Sequence, residues 1–179
     1  MSEAAIEACR WLEPGGAQAA LTIGAFLGGI GIELEAGPAG GTVLPGMTVV
    51  NGRIRVDPAV PGYPGDLLHE AGHLAVCEPA ERASREAMSD DPGEEMAAIA
   101  WSVAAAKACG VSLEVLFHEH GYKGGAGALR EAFADGRGVG IPMLAWFGMT
   151  AEPHRAGEWG VPAFPSMSRW LRWSVLRCS

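Results

Sequence analysis

Two histidines and a glutamate stand at a spacing that suits metal chemistry. His69, Glu70 and His73 form an H-E-x-x-H sequence. On a helix, residues four apart stand one above the other, so both imidazoles can reach one ion. Glu70 lies about 100° round the helix from His69, close enough to take a proton from a water on that ion. The motif predicts His69 and His73 as metal ligands and Glu70 as a general base.

A catalytic zinc site needs a third protein ligand and an open position for water. Glu94 and Glu95, at the start of an Ala-rich segment, are the candidates. On a helix, Glu95 shares a face with Ile99 and Val103, where a carboxylate needs a partner such as a metal. We therefore expect Glu95 to be the third ligand, with Glu94 as the alternative. Solvated charges favoured by the helix dipole are the other interpretation of both glutamates.

The segment from His118 to Tyr122 is the other His-rich part of the sequence. A peptidase needs a hydrogen-bond donor for the oxyanion of its tetrahedral intermediate, and Tyr122 is a candidate for that role or for an extra ligand. A polar helix end is the alternative interpretation of this segment. Lys123 and the glycines after it have the wrong order for a phosphate loop and predict a turn instead.

The motif needs a helix that is anchored in the core on one side. Three prolines between positions 58 and 64 form a stiff connector, and Asp66 then offers a helix N-cap. The predicted helix runs from Leu67 to Cys77, and Pro79 stops it. The apolar side chains that gather opposite the two histidines are those of Leu67, Leu68, Ala71, Leu74 and Ala75.

The other segments predict both helices and strands. Asn51-Gly52 supplies the positive φ angles of a two-residue hairpin turn, with Ile54 and Val56 facing the core. A second helix is expected from about Gly93 to Cys109, because Gly110 is a typical C-cap. We further expect helices at 2–12, 113–118 and 126–134, a strand at 30–35, a buried helix or strand pair at 17–32, and a helix or strand at 141–148.

Composition limits the class of protein. The chain has 179 residues, 49% of them apolar and 19% charged, which is typical of one globular domain. A net charge of −8 works against binding to phosphate backbones, so we expect no nucleic-acid partner. Cys9, Cys77, Cys109 and Cys178 are too far apart for a Cys-type zinc site, and free thiols are expected.

No membrane association is expected from the sequence. The first seven residues are acidic and lack the basic region of a secretory signal. The apolar stretch at 17–32 is short and glycine-containing for a membrane span. These features favour a cytoplasmic protein.

The downstream glutamate resembles that of the Glu-zincins, in which a helical glutamate completes the zinc site. Glu95-Met-Ala-Ala-Ile-Ala-Trp101 looks like the E-x-x-A-x-x-aromatic segment of small ImmA/IrrE-type metallopeptidases. The stretch 63–76 is also similar to bacterial H-E-x-x-H proteins of unassigned activity. The resemblance covers mainly residues 63–105 and departs from the ImmA/IrrE pattern at Ile99, where that family has asparagine.

This resemblance implies an α+β, zincin-like domain over residues 1–179, with a small β-sheet packed on the motif helix and on the Ala-rich helix. A Pro/Gly/Trp-rich C-terminal extension begins at about residue 149. The expected cofactor is Zn²⁺, and the expected activity is hydrolysis of a peptide or related amide. The partners are then a peptide or protein substrate, and a homo-oligomer is also compatible with the exposed apolar residues expected in the tail.

Two other interpretations stay open at the level of sequence. The first is a non-catalytic, metal-stabilised zincin-like module whose Trp-rich tail contacts a protein partner. It predicts a covered metal with no open coordination position. The second is a structural protein that binds no metal at the histidines.

Overall fold

The computed structural model describes residues 1–40, 44–87 and 91–173. In these ranges the chain forms helices, one three-stranded sheet and a short 3₁₀ turn at Tyr122–Gly124. The helices are α1 (Glu3–Glu7), α2 (Gly16–Gly29), α3 (Pro64–Val76), α4 (Pro79–Arg82), α5 (Pro92–Cys109), α6 (Leu113–Leu116), α7 (Ala126–Ala134), α8 (Ile141–Trp146) and α9 (Ala156–Trp159), and the strands are β1 (Leu34–Ala36), β2 (Met47–Val50) and β3 (Arg53–Val56). The fold class is α+β, as predicted.

The sheet contains the predicted hairpin and one further strand. β2 and β3 pair antiparallel, and β1 joins β3 in parallel on its other side, which gives the order β1-β3-β2. Asn51 and Gly52 have φ angles of 48° and 71°, as the type I′ turn requires. Ile54 and Val56 are buried as expected. α3 packs against β2 and β3, so the sheet supports the motif helix directly.

The motif helix starts earlier and is more buried than the sequence suggested. It begins at Pro64, which occupies the first helical position, where a missing N–H costs nothing. The prediction that Asp66 is the N-cap was wrong, since Tyr63 is the N-cap residue and Asp66 lies inside the first turn. All 13 residues of α3 are buried, so the helix is covered on every side rather than on one face.

Helices α3 and α5 cross at very short range. A Cβ atom added at Gly72 would lie 2.7 Å from the carbonyl oxygen of Ala98 and 3.1 Å from its Cα. Next to this crossing, the Ser102 hydroxyl donates to the carbonyl oxygen of Leu68 at 3.0 Å. Gly72 therefore lets the backbone of α5 come close enough for side chains on its first turn to reach the histidines of α3.

The shorter elements follow the sequence pattern with smaller bounds. The apolar stretch at 17–32 is the helix α2, which buries Ile23 and Leu27 in the core. The strand expected at 30–35 is observed as β1, which begins only at Leu34 and ends at Ala36. The helix expected at 113–118 ends at Leu116. The helix at 126–134 has the predicted bounds, and 141–148 is helical at α8. Helix α1 is shorter than the 2–12 segment that was predicted.

As far as residue 173, the tail beyond residue 149 packs against α3 and α5. The indole N–H of Trp101 donates to the carbonyl oxygen of Trp170 at 2.8 Å. The backbone N–H of Arg172 donates to Ala75, and its guanidinium donates to the carbonyl oxygen of Val76 at 3.2 Å. The C-terminal end of α3 is therefore capped by this segment.

Several features of the tail and the surface bear on the other predictions. Trp146 and Trp173 are 81% and 67% exposed, so the tryptophans do not all serve the core. Cys9, Cys77 and Cys109 are free thiols, while Cys178 lies outside the described residues. Within the ranges that the structure describes, no helix has the length and apolar character needed to cross a membrane.

Replacing Gly72 by alanine tests the importance of the helix crossing. Because the new methyl group would meet the backbone of Ala98, we expect a loss of about 1–3 kcal/mol in the free energy of unfolding. Urea unfolding followed by circular dichroism measures it. Gly127→Ala is the matched control, since nothing lies within 4 Å of a Cβ at that position of α7. Equal effects of both substitutions would contradict the tight crossing.

Candidate metal centre

Three side chains from α3 and α5 meet at one point. His69 and His73 project from successive turns of α3, and Glu95 reaches them from the first turn of α5. The Glu95 Oε2 atom lies 3.0 Å from Nε2 of His73 and 3.7 Å from Nε2 of His69. One ligand atom from each residue can be chosen so that all three lie within 4.8 Å of one another. This group could hold a metal ion.

The separations fit a shared ion better than direct contacts. Bonds of about 2.0–2.2 Å to a tetrahedral ion place two ligand atoms about 3.3–3.5 Å apart. The two measured distances, 3.0 and 3.7 Å, lie on either side of that value. Although Nε2 of His73 is close to Glu95, it has no hydrogen bond of good geometry to any described residue. His73 and Glu95 are thus at ion-pair distance, and the three ligand atoms are close enough together to share one ion.

Several buried polar atoms around this point lack hydrogen-bond partners among the described residues. They are Nδ1 of His69, Oε2 of Glu70, Nε2 of His73 and the hydroxyl of Tyr122. Burying polar groups without partners is costly, and natural proteins rarely do it in clusters. A metal ion with water ligands would satisfy the atoms of His73, Glu70 and Tyr122, whereas Nδ1 of His69 lies across the ring from Nε2, the atom near Glu95. The cluster therefore supports a site that could hold an ion.

Glu94 has a different place from Glu95. Its Oε1 atom accepts a hydrogen bond from Nδ1 of His73 at 3.0 Å and another from the Arg85 guanidinium at 2.6 Å. A carboxylate on the second nitrogen of a ligating histidine fixes the tautomer and orientation of the ring. The geometry thus assigns Glu94 to support His73, and it is Glu95 that faces both imidazoles.

The electrostatics of the two histidines differ because their neighbours differ. Burial lowers the pKa of His69 to about 4, which favours the neutral ring that a metal requires. Burial also opposes the charge on His73, but the contacts with Glu94 and Glu95 outweigh it and raise its pKa to about 9. The carboxylates therefore hold a positive charge at His73, and an incoming metal ion would replace its proton.

Glu70 is buried beside the two histidines. It is 2% exposed, and burial raises its pKa to about 7. His73 opposes this shift, while Asp66 and Glu95 add to it. A carboxylate with a pKa near neutrality is suited to accept and return a proton, which is the role predicted for Glu70.

Tyr122 lies at the same site, as the sequence suggested. Its ring meets that of His69 edge to face at 5.3 Å and that of Phe117 at 4.9 Å. Burial raises the pKa of the Tyr122 hydroxyl well above its usual value, and the nearby carboxylates of Asp66, Glu95 and Glu70 act in the same direction. The hydroxyl is therefore a neutral donor close to Glu70 and Glu95.

His118 is not part of the ligand group. Its Nε2 atom pairs with Oδ1 of Asp66 at 2.9 Å, and both side chains are almost fully buried. Its ring stacks on Tyr63 at 3.7 Å, while His120 is exposed. The sequence pattern did not indicate this pair, because Asp66 looks like a helix cap and its partner is 52 residues away. No local sequence pattern indicates the contact between Arg85 and Glu94 either.

Comparison with known proteins does not assign the chain to a family. No protein-family model, no curated protein and no solved structure matches the chain. The class of site therefore rests on the arrangement of its own residues.

The adjacent glutamates give a matched pair for testing the ligand assignment. We expect Glu95→Gln to weaken zinc binding by at least about 100-fold, and Glu94→Gln by about 10-fold to 100-fold, because the latter acts through His73. Competition titration with a chromophoric chelator measures both dissociation constants. A larger loss with Glu94→Gln than with Glu95→Gln would move the third ligand to Glu94.

His118→Ala separates a structural pair from an extra ligand. The substitution leaves the buried Asp66 carboxylate without its partner, so we expect the free energy of unfolding to fall by about 1–3 kcal/mol. Zinc affinity, measured by the same titration, should stay within about 3-fold of wild type. A stable variant that has lost its zinc would show instead that His118 is a ligand.

Proposed function

We propose that this chain is a zincin-like, zinc-dependent metallopeptidase that hydrolyses a peptide or related amide bond. The observation that carries the proposal is the convergence of His69, His73 and Glu95 beside the buried, unpartnered Oε2 atom of Glu70, stated for the described residues. Two histidines and one carboxylate leave one tetrahedral position of a zinc ion for water or substrate. The resemblance of residues 63–105 to Glu-zincins supports the same class.

The protein's own groups have distinct tasks in this proposal. Bound zinc would supply Lewis-acid polarisation of the substrate carbonyl and an acidic water. Glu70 accepts the proton of the attacking water and passes it to the leaving amine, so the proton taken in the first step is returned in the second. Tyr122 donates its hydroxyl hydrogen bond to the oxyanion that develops on the carbonyl oxygen. Glu94 and Arg85 keep the ring of His73 in place.

One observation favours a second candidate, the non-catalytic metal-stabilised module. His69, Glu70 and His73 are 7%, 2% and 1% exposed, so these three side chains are covered, while the Glu95 side chain is 43% exposed. A covered ion would contribute to folding stability as in structural zinc sites. Such a protein binds zinc tightly and cleaves no peptide.

Glu70→Gln tests the peptidase directly. The amide cannot take up a proton, so we expect turnover to fall by about 10²-fold to 10⁴-fold while the zinc content stays near that of wild type. New peptide termini in a proteome-derived peptide mixture, detected by mass spectrometry, report turnover, and elemental analysis reports zinc. Glu119→Gln removes the same charge from an exposed position outside the site and serves as the control.

Two results would count against the proposal. Loss of zinc from Glu70→Gln would make Glu70 a ligand rather than a base. Zinc-loaded wild type that produces no new termini in any peptide mixture would favour the non-catalytic module.

A further inference from the structure

The chain beside the metal group takes a backbone conformation that L-amino acids rarely adopt. Tyr122, Lys123 and Gly124 have consecutive φ angles of 54°, 52° and 83°. Glycine takes positive φ at little cost, but side chains with a Cβ atom are strained there, and such strain is concentrated at functional sites. In the part of the chain that the structure describes, the other non-glycine residue with positive φ is Asn51, which the hairpin turn explains. The turn at 122–124 has no such local explanation.

This turn places Tyr122 at the metal group and Lys123 directly after it in the chain. Tyr122 packs against the ring of His69 at 5.3 Å. Lys123 follows it, is exposed, and lies within electrostatic reach of the Glu95 carboxylate. Contact with His73 is the first cause that lowers the pKa of Glu95, burial opposes it, and Lys123 makes the smallest of the contributions that lower it. Lys123 is therefore an exposed cation next to the residues of the site.

The ammonium of Lys123 is available to a ligand. Among the described residues it makes no ion pair within 4.0 Å, whereas the Arg85 guanidinium is engaged by Glu94. The sequence contains one other lysine, Lys107, near the far end of α5, in a chain of net charge −8. A free cation beside a metal site attracts anionic groups and repels cationic ones.

We propose that Lys123 is a specificity-determining residue, which binds a carboxylate of the substrate next to the bond that is cleaved. This inference rests on the proposed peptidase function and names the class of substrate it favours. The carboxylate is either the free C-terminus of a short peptide or an acidic side chain. Lys123 follows Tyr122, whose ring packs against His69, so its ammonium can approach a substrate bound at the metal group.

A pair of hydroxamates tests the proposal without requiring turnover. The two probes share the metal-binding hydroxamate and differ in one terminal group, a carboxylate in one and a carboxamide in the other. Isothermal titration of the zinc-loaded protein should give a dissociation constant about 5-fold lower for the carboxylate probe, as expected for one solvent-accessible ion pair. This preference should disappear in Lys123→Gln and persist in Lys107→Gln, which changes the net charge equally.

The outcomes separate the two proposals. Equal affinity for both probes in wild type, or a preference that survives Lys123→Gln, overturns the role of Lys123 while leaving the metal site intact. If neither probe binds to zinc-loaded wild type, the proposed function fails, and the inference about Lys123 fails with it.

Peptides identify the source of the carboxylate. One series carries a free C-terminus and no acidic side chain, and the other is amidated and carries one glutamate. The series that wild type cleaves faster than Lys123→Gln does contains the recognised carboxylate. Equal cleavage of both series by wild type and by Lys123→Gln contradicts the proposal.

Discussion

The close approach of α3 and α5 at Gly72 is the constraint on which the site depends. Glu95 lies on the first turn of α5, and the two histidines lie on the middle turns of α3, so their meeting requires the helix backbones to come nearly into contact. The carbonyl of Ala98 occupies the space that any larger residue at position 72 would need. Gly72, which has no side chain to offer a metal, therefore determines whether Glu95 can reach the two histidines.

Charge is the second constraint, and it follows from the first. The crossing gathers Glu94, Glu95 and Glu70 around two buried histidines, and a buried carboxylate such as that of Glu70 needs a compensating partner. Arg85 neutralises Glu94, and a proton on His73 balances Glu95. This arrangement attracts positive charge. It could hold a metal ion, which would replace the proton on His73.

Local sequence patterns predicted those features of the fold that depend on near neighbours. The hairpin followed from Asn51-Gly52, whose turn geometry few other dipeptides support. The end of α5 followed from Gly110, which has a φ angle of 74° as a left-handed C-cap. The choice of Glu95 over Glu94 came from helical periodicity alone, and in the structure Glu95 is the glutamate that faces both histidines.

The features that the sequence did not reveal all depend on contacts between distant segments. Asp66 is a residue type that often caps a helix, but in the structure it forms a buried pair with His118. Arg85 donates a hydrogen bond to Glu94 from a loop that the sequence predicts to be polar, without indicating this contact. α3 is buried on every side because α5 and the tail cover it. The amphipathic pattern of its sequence predicted burial of one face only.

The central claim is that one ion is held by two imidazoles and one carboxylate, with a position left for water. X-ray absorption spectroscopy at the zinc edge of the zinc-loaded protein tests it most directly. The account predicts about four nitrogen and oxygen ligands at about 2.0–2.2 Å, with the multiple-scattering signature of two imidazoles. Sulfur at about 2.3 Å, or a zinc ion without imidazole ligands, would contradict it.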